Sequence, residues 1–149
     1  MPGQHTEYAF ETAIEQHLTK AGGYEIRDPD AFSPERGLFP QDVISFIRET
    51  QPDEWEYLAG LQKEKAEETL LDDLCRALNS EHEGCLSVLR HGFKSFGKLF
   101  RVACFAPASG LNPETQKLYA ANRLTIVRQL RYSNRHENSL DVTLALNGI

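Results

Sequence analysis

Ser139-Leu140-Asp141-Val142-Thr143-Leu144-Ala145-Leu146, followed by Asn147-Gly148-Ile149, is the stretch whose reading decides the fold. Its residues alternate, so Leu140, Val142, Leu144 and Leu146 fall on one side of a strand and Asp141, Thr143, Ala145 and Asn147 on the other. Asn-Gly after such a run signals a hairpin turn into another strand. The sequence carries no further strand beyond that turn, so the sheet is expected to be incomplete and the chain to be the front part of a larger enzyme. Asp141 is the acid on the polar face. By spacing alone its commoner role is a solvated edge residue, and a metal-binding carboxylate is the alternative.

Upstream, a second strand is expected near Arg123 to Tyr132, joined to the last one by the polar loop Ser133-Asn134-Arg135-His136-Glu137-Asn138. A third, over Lys98 to Phe105, is dense in aromatic and branched residues and stops at Pro107. Asn112-Pro113-Glu114 reads as the cap and first turn of a helix running to about Ala121. The first half is helical. From Glu7 to Ala21, Phe10, Ala13, Ile14, His17, Leu18 and Ala21 gather on one face, Glu11 borders it, and Gly22-Gly23 ends the helix. Residues 24 to 39 read as turns and a loop. A short helix lies between Pro40 and Pro52. Asp53 then caps a longer helix that crosses the charge run Lys63-Glu64-Lys65-Ala66-Glu67-Glu68 and ends near Asn79-Ser80. The order predicts an α+β fold of N-terminal helices followed by strands. We read residues 1–149 as a single domain, helical over 1–80 and strand-rich over 84–149.

Composition bounds the function. With 149 residues, 40% of them hydrophobic, the chain can bury an ordinary core. Lys and Arg number 16 against 22 Asp and Glu, a net charge of -6, which argues against a generally basic nucleic-acid coat protein. Cys75, Cys85 and Cys104 form no CxxC pair and suit reduced thiols in a cytoplasm. No signal peptide or membrane-spanning run is present, so the expected location is cytoplasmic and no membrane is expected as a partner.

Gly92-Phe93-Lys94-Ser95-Phe96-Gly97-Lys98 matches most of a phosphate-binding loop, but Leu99 stands where Ser or Thr must hold magnesium. It also leads into a strand instead of a helix, so it reads as a turn or recognition segment and no nucleotide site is assigned. Cys75, His82, Cys85 and His91 match no zinc-finger spacing and read as structural. Cys104, inside an apolar run, is a poor nucleophile. Arg123, Arg128, Arg131 and Arg135, with Gln129 and Tyr132 between them, mark the place where the acidic chain is read as turning locally positive. These residues either contact phosphate oxygens of DNA or solubilise a hairpin and pair with the acidic helix over 53 to 73, and spacing leaves both readings standing.

Taken in order, Phe10-Glu11, Gly23-Tyr24, Thr50-Gln51-Pro52, Leu89-Arg90-His91-Gly92-Phe93-Lys94, Leu111-Asn112-Pro113, Asn122-Arg123, Arg128-Gln129-Leu130, Ser139-Leu140-Asp141 and Leu146-Asn147-Gly148-Ile149 resemble the N-terminus of the R (HsdR) subunit of type I restriction enzymes. The likeness covers nearly the whole chain. It lies in the order and spacing of the segments rather than in any single one.

That resemblance implies a restriction-endonuclease-like sheet of the PD-(D/E)xK type, which cleaves DNA with magnesium. In the full subunit an ATP-driven motor follows, and the modification and specificity subunits are the partners. Asp141 matches the strand aspartate of the motif. Glu11 matches, more loosely, a carboxylate supplied by the first helix. Arg123, Arg128, Gln129, Arg131 and Arg135 become candidates for DNA contact. No Glu-x-Lys occurs anywhere in the sequence, and none of the motor's motifs does, so ATP belongs only to segments this chain lacks. The expectation is an N-terminal fragment bearing part of a nuclease core and inactive alone. The alternative is a non-catalytic module that binds DNA or partner subunits. An unpaired last strand would also invite dimerisation.

Overall fold

The computed structural model of the chain describes residues 2–149, with side chains from Thr6 onward. In chain order its elements are α1 (Pro2–Ala21), β1 (Glu25–Ile26), α2 (Pro40–Thr50), α3 (Pro52–Gln62), α4 (Ala66–Leu78), α5 (Gly84–His91), β2 (Phe93–Ser95), β3 (Lys98–Phe100), α6 (Pro113–Ala120), β4 (Leu124–Arg131) and β5 (Ser139–Leu146), with short 3-10 turns at Pro29–Ala31 and Lys63–Lys65. This is an α+β fold. Contacts gather it into two compact units: Met1–Pro40 with Arg123–Ile149, and Gln41–Asn122.

The first unit is built from the two ends of the chain around a three-stranded sheet of order β1-β4-β5. The central strand β4 pairs antiparallel with β5, from Leu124 opposite Leu146 to Arg131 opposite Ser139. On its other side it pairs parallel with β1, Ile26 opposite Ile126. The two-residue β1 was hidden in the segment that reads as turns, because so short a strand leaves no periodicity to detect. Phe32, Phe39, Val127, Leu130 and Ala145 form this unit's core, with the Phe32 and Phe39 rings edge to face at 5.2 Å.

Asn147 and Gly148 make the expected tight turn, at φ 52 and 88. Leu146 and Ile149 exchange both backbone hydrogen bonds, 2.9 and 3.0 Å, which is the closing pair of a two-residue hairpin loop. The side of β5 that is buried differs from the side that is apolar. Ala145 and Asn147 are buried, whereas Leu140 and Leu144 are about half exposed.

In the second unit Val43, Ile44, Phe46 and Ile47 of α2, Leu58 of α3 and Leu70 and Leu74 of α4 are buried, as are Val88, Phe93, Phe100 and Val102. The anticipated single helix after Pro52 is broken at the charge run: Lys63 adopts φ 52, and a 3-10 turn separates α3 from α4. Its start also lies earlier than Asp53, with Gln51 as the flanking residue and Pro52 in the first turn. Proline is preorganised there because its missing N–H has no helical partner to lose.

Two amide side chains explain why the anticipated strand over Lys98 to Phe105 stops at Phe100. Gln51 Oε1 accepts from the Arg101 N–H at 2.6 Å while its Nε2 donates to the Arg101 carbonyl at 2.9 Å. Asn122 treats Cys104 the same way, accepting from its N–H and donating to its carbonyl. Backbone groups that would otherwise need a neighbouring strand are satisfied by these side chains. The helix anticipated from Asn112 is present as α6, its Asn112 Oδ1 accepting from the Glu114 and Thr115 N–H groups.

The glycine-rich stretch is a hairpin. Phe96 and Gly97 form its tip at φ 49 and 79, and β2 pairs antiparallel with β3. Gly92 stands at φ 78, and any Cβ there would lie 2.2 Å from the Phe100 carbonyl oxygen. Both glycines thus serve the backbone.

Candidate functional site

The sequence-derived candidates of the first unit are Glu11, Asp141 and the Arg123 to Arg135 segment, and Arg128 is their hub. It projects from β4 towards α1, where its Nη2 lies 3.2 Å from Glu11 Oε2 and its Nη1 3.9 Å from Glu15 Oε1. Nη1 also donates to Thr12 Oγ1 at 3.2 Å, and the Tyr8 ring covers the guanidinium with its centre 4.8 Å away. The side chains of Arg128 and Glu11 are only 19% and 12% exposed. A cation so enclosed needs its carboxylates, since an unpaired buried charge costs several kcal/mol. This requirement sets the rotation of α1: Glu11 and Glu15 turn inward and Phe10 is left 67% exposed. Of the apolar stripe read from the sequence, Phe10, Ala13, His17 and Ala21 are therefore exposed, and only Ile14 and Leu18 are half-buried beside Glu11 and Glu15.

Gln129 extends the cluster. Its Nε2 donates to Glu11 Oε2 at 3.4 Å and its Oε1 accepts from Ser139 Oγ at 3.2 Å. Its backbone is left-handed, φ 53, in the middle of a strand. The register pairs Arg128 with Val142 and Leu130 with Leu140, so Asp141 falls opposite this irregular residue. Left-handed conformations of non-glycine residues cost energy and gather at functional positions. Glu11, Thr12, Glu15, Arg128, Gln129 and Ser139 are thus brought together by direct contact. Asp141 is on the adjoining strand, exposed.

The remaining candidates differ among themselves. Arg131 and Arg135 are exposed. Arg123 is half-buried, and its backbone N–H donates to Asn147 Oδ1 at 2.6 Å while its carbonyl accepts from the Asn147 N–H at 2.8 Å. On the face that β5 shares with Asp141, the hydroxyls of Thr143 and of Thr125 are buried without a hydrogen-bond partner among the described residues. Cys104, in the second unit, has its thiol pushed above the ordinary range by burial, with the Arg101 charge acting in the opposite sense. Such a thiol is a weak nucleophile.

Magnesium can be tested against these donors. A hard divalent cation takes about six oxygens, several of them carboxylate. No three His, Cys, Asp or Glu side chains gather suitably among the described residues, and the Glu11 carboxylate is engaged by Arg128 and Gln129. The residues present do not complete a magnesium site. No described helix is long and apolar enough to cross a membrane.

One basic region escaped the sequence reading. From Gly84 to Pro113 the chain carries Arg90, Lys94, Lys98 and Arg101 and no acid at all. Counting missing carboxylates, rather than looking for clustered arginines, would have exposed it.

No curated protein and no solved structure matches the chain. Its segments follow one family from end to end, however: the profile described as type I restriction enzyme R protein N terminus matches residues 4–149, and the chain belongs to that family.

Proposed function

We propose that the chain forms the front of the nuclease domain of a type I restriction subunit, contributing Asp141 and DNA-backbone contacts to a magnesium-dependent endonuclease core. The observation that carries this reading is the exposed Asp141 carboxylate, opposite the left-handed Gln129, at the end of the β4–β5 pair where Arg131 and Arg135 are also exposed. An acid beside cations suits a site where phosphate is held by the cations while the acid faces the bond to be cut. Glu11 lies in the Arg128–Gln129 cluster on the strand next to that of Asp141, and its Oε2 is held in place there. In this reading it positions β4 and offers its remaining oxygen to the site. The modification and specificity subunits are the proposed partners within the restriction complex.

A second reading, a DNA-binding module without catalysis, is favoured by the mutual neutralisation of Glu11 and Arg128. One experiment separates the two. Duplex DNA binding is measured by fluorescence anisotropy in EDTA across a salt series. Replacing Arg131 and Arg135 by Gln should weaken binding several-fold and flatten the log–log salt slope by roughly 1.8, about 0.9 per lost phosphate contact. Asp141→Asn should tighten binding a few-fold, because it removes a negative charge facing phosphate. Arginine effects without an Asp141 effect select the binding module, and no change in any variant removes DNA contact from this surface altogether.

A further inference from the structure

The acid-free stretch from Gly84 to Pro113 folds at its centre into the β2–β3 hairpin of the second unit. Phe93 and Phe100, with ring centres 5.9 Å apart, form the buried side of that hairpin. Lys94 and Leu99 pair on the opposite side and are exposed. The Lys98 ammonium lies 4.8 Å from the centre of the Tyr57 ring, itself nearly half exposed. The hairpin is therefore a cationic projection from a chain whose net charge is -6.

Its tip is unusual in a way that folding does not explain. A turn with both central residues left-handed prefers Asn-Gly, and another L residue at the first position costs about 1 kcal/mol. Phe96 occupies that position, and its ring remains 49% exposed. The folded state gains little from a phenyl group that is both strained and wet, so the ring is better explained by what it meets.

Beside the hairpin lies a cavity of about 550 Å³ lined by Lys94 and Leu99 together with Arg76, His91, Ser80 and Ser87. Of its two acids, Asp73 is already held by Arg76 Nη1 at 2.8 Å and by Ser95 Oγ at 2.6 Å; Glu83 is the other. With Arg76 engaged by Asp73, the cavity's Lys94 and its Ser80 and Ser87 hydroxyls remain as groups that suit a phosphate, on the side of the hairpin that bears Lys94 and Leu99.

We propose that the β2–β3 hairpin docks single-stranded DNA: Lys94, on the exposed face of the hairpin, follows the phosphates, Arg90 and Arg101 at either end of the hairpin add positive charge, and Phe96 stacks on an unpaired base. The strand is single because a base already free of the duplex stack offers its face to the ring without the cost of unstacking and kinking a duplex. The inference rests on the reading of the chain as a DNA-handling domain, but it uses none of Asp141, Arg131 or Arg135.

The test measures anisotropy of a labelled oligothymidylate and of a duplex on the whole 149-residue chain. Phe96→Asn supplies the residue the turn prefers, so its unfolding temperature should rise while oligothymidylate affinity falls about tenfold, within the range for loss of one base stack. Duplex affinity should stay unchanged. Lys94→Gln should lower the log–log salt slope for the single strand by about 0.7. A Phe96→Asn chain that binds oligothymidylate as tightly as the wild type would sink the proposal, and if inorganic phosphate competes equally well against both chains, the cavity is an anion site only. Loss of duplex binding through Arg131 and Arg135 reads the other surface, so either idea can fail without the other.

Discussion

Arg128 shows how one residue can set the attitude of a whole helix. Its charge cannot stay in a half-dry position without carboxylates, and Glu11 and Glu15, one turn apart on α1, supply them. Asn147 acts at the same scale on the opposite end of β5. It is buried, left-handed at φ 52, and clasps Arg123 by both its backbone N–H and its side-chain oxygen. Asn147→Ala should destabilise the chain by about 2–3 kcal/mol, the sum of left-handed strain in alanine and an orphaned Arg123 N–H. Chemical denaturation checks this, and a loss below about 0.5 kcal/mol would mean that neither cost is real at this position.

Among the elements, the break between α3 and α4 is the point where local propensity and geometry disagree. The run from Lys63 to Glu68 is made of good helix formers, and nothing in it reads as a stop. Yet Lys63 takes φ 52 and ψ -121, a conformation natural only to glycine. Lys63→Gly should therefore stabilise the protein by about 1 kcal/mol, the reverse of the usual effect of glycine in helical sequence, and thermal unfolding measures it. If stability falls instead, the break carries no strain. Elements whose ends have chemical signals were legible beforehand: α6 with its Asn112 cap, α2 with its bounding prolines, β4 and β5 with their alternation. Those decided by distant partners were not. The strand expected through Phe105 ended early because Gln51, fifty residues away in sequence, satisfies Arg101.

For the molecule as a whole, the consequence concerns activity. No Glu-x-Lys occurs in the sequence and no three metal-ligating side chains gather among the described residues. We expect the 149-residue chain to leave supercoiled plasmid intact in magnesium. Nicking that disappears in an Asp141→Ala variant, followed on agarose gels, would show that the chain holds a complete site after all. The residues of the proposed site were readable in the sequence only as types and spacings. Glu11 and Arg128 are 117 positions apart, and no local pattern reports that they meet.

The sequence by itself determined the turn at Asn147-Gly148, the strands before it, the caps and breakers of the helices, and the order of segments that marks the family. These depend on short-range sterics and hydrogen bonds, which nearby residues carry with them. Only the tertiary structure decided which face of α1 is packed, which side of β5 is buried and which arginines remain open to a partner. Those outcomes turn on desolvating charge: a buried guanidinium must find its carboxylates wherever the fold brings them, and that demand outweighs the burial of Phe10.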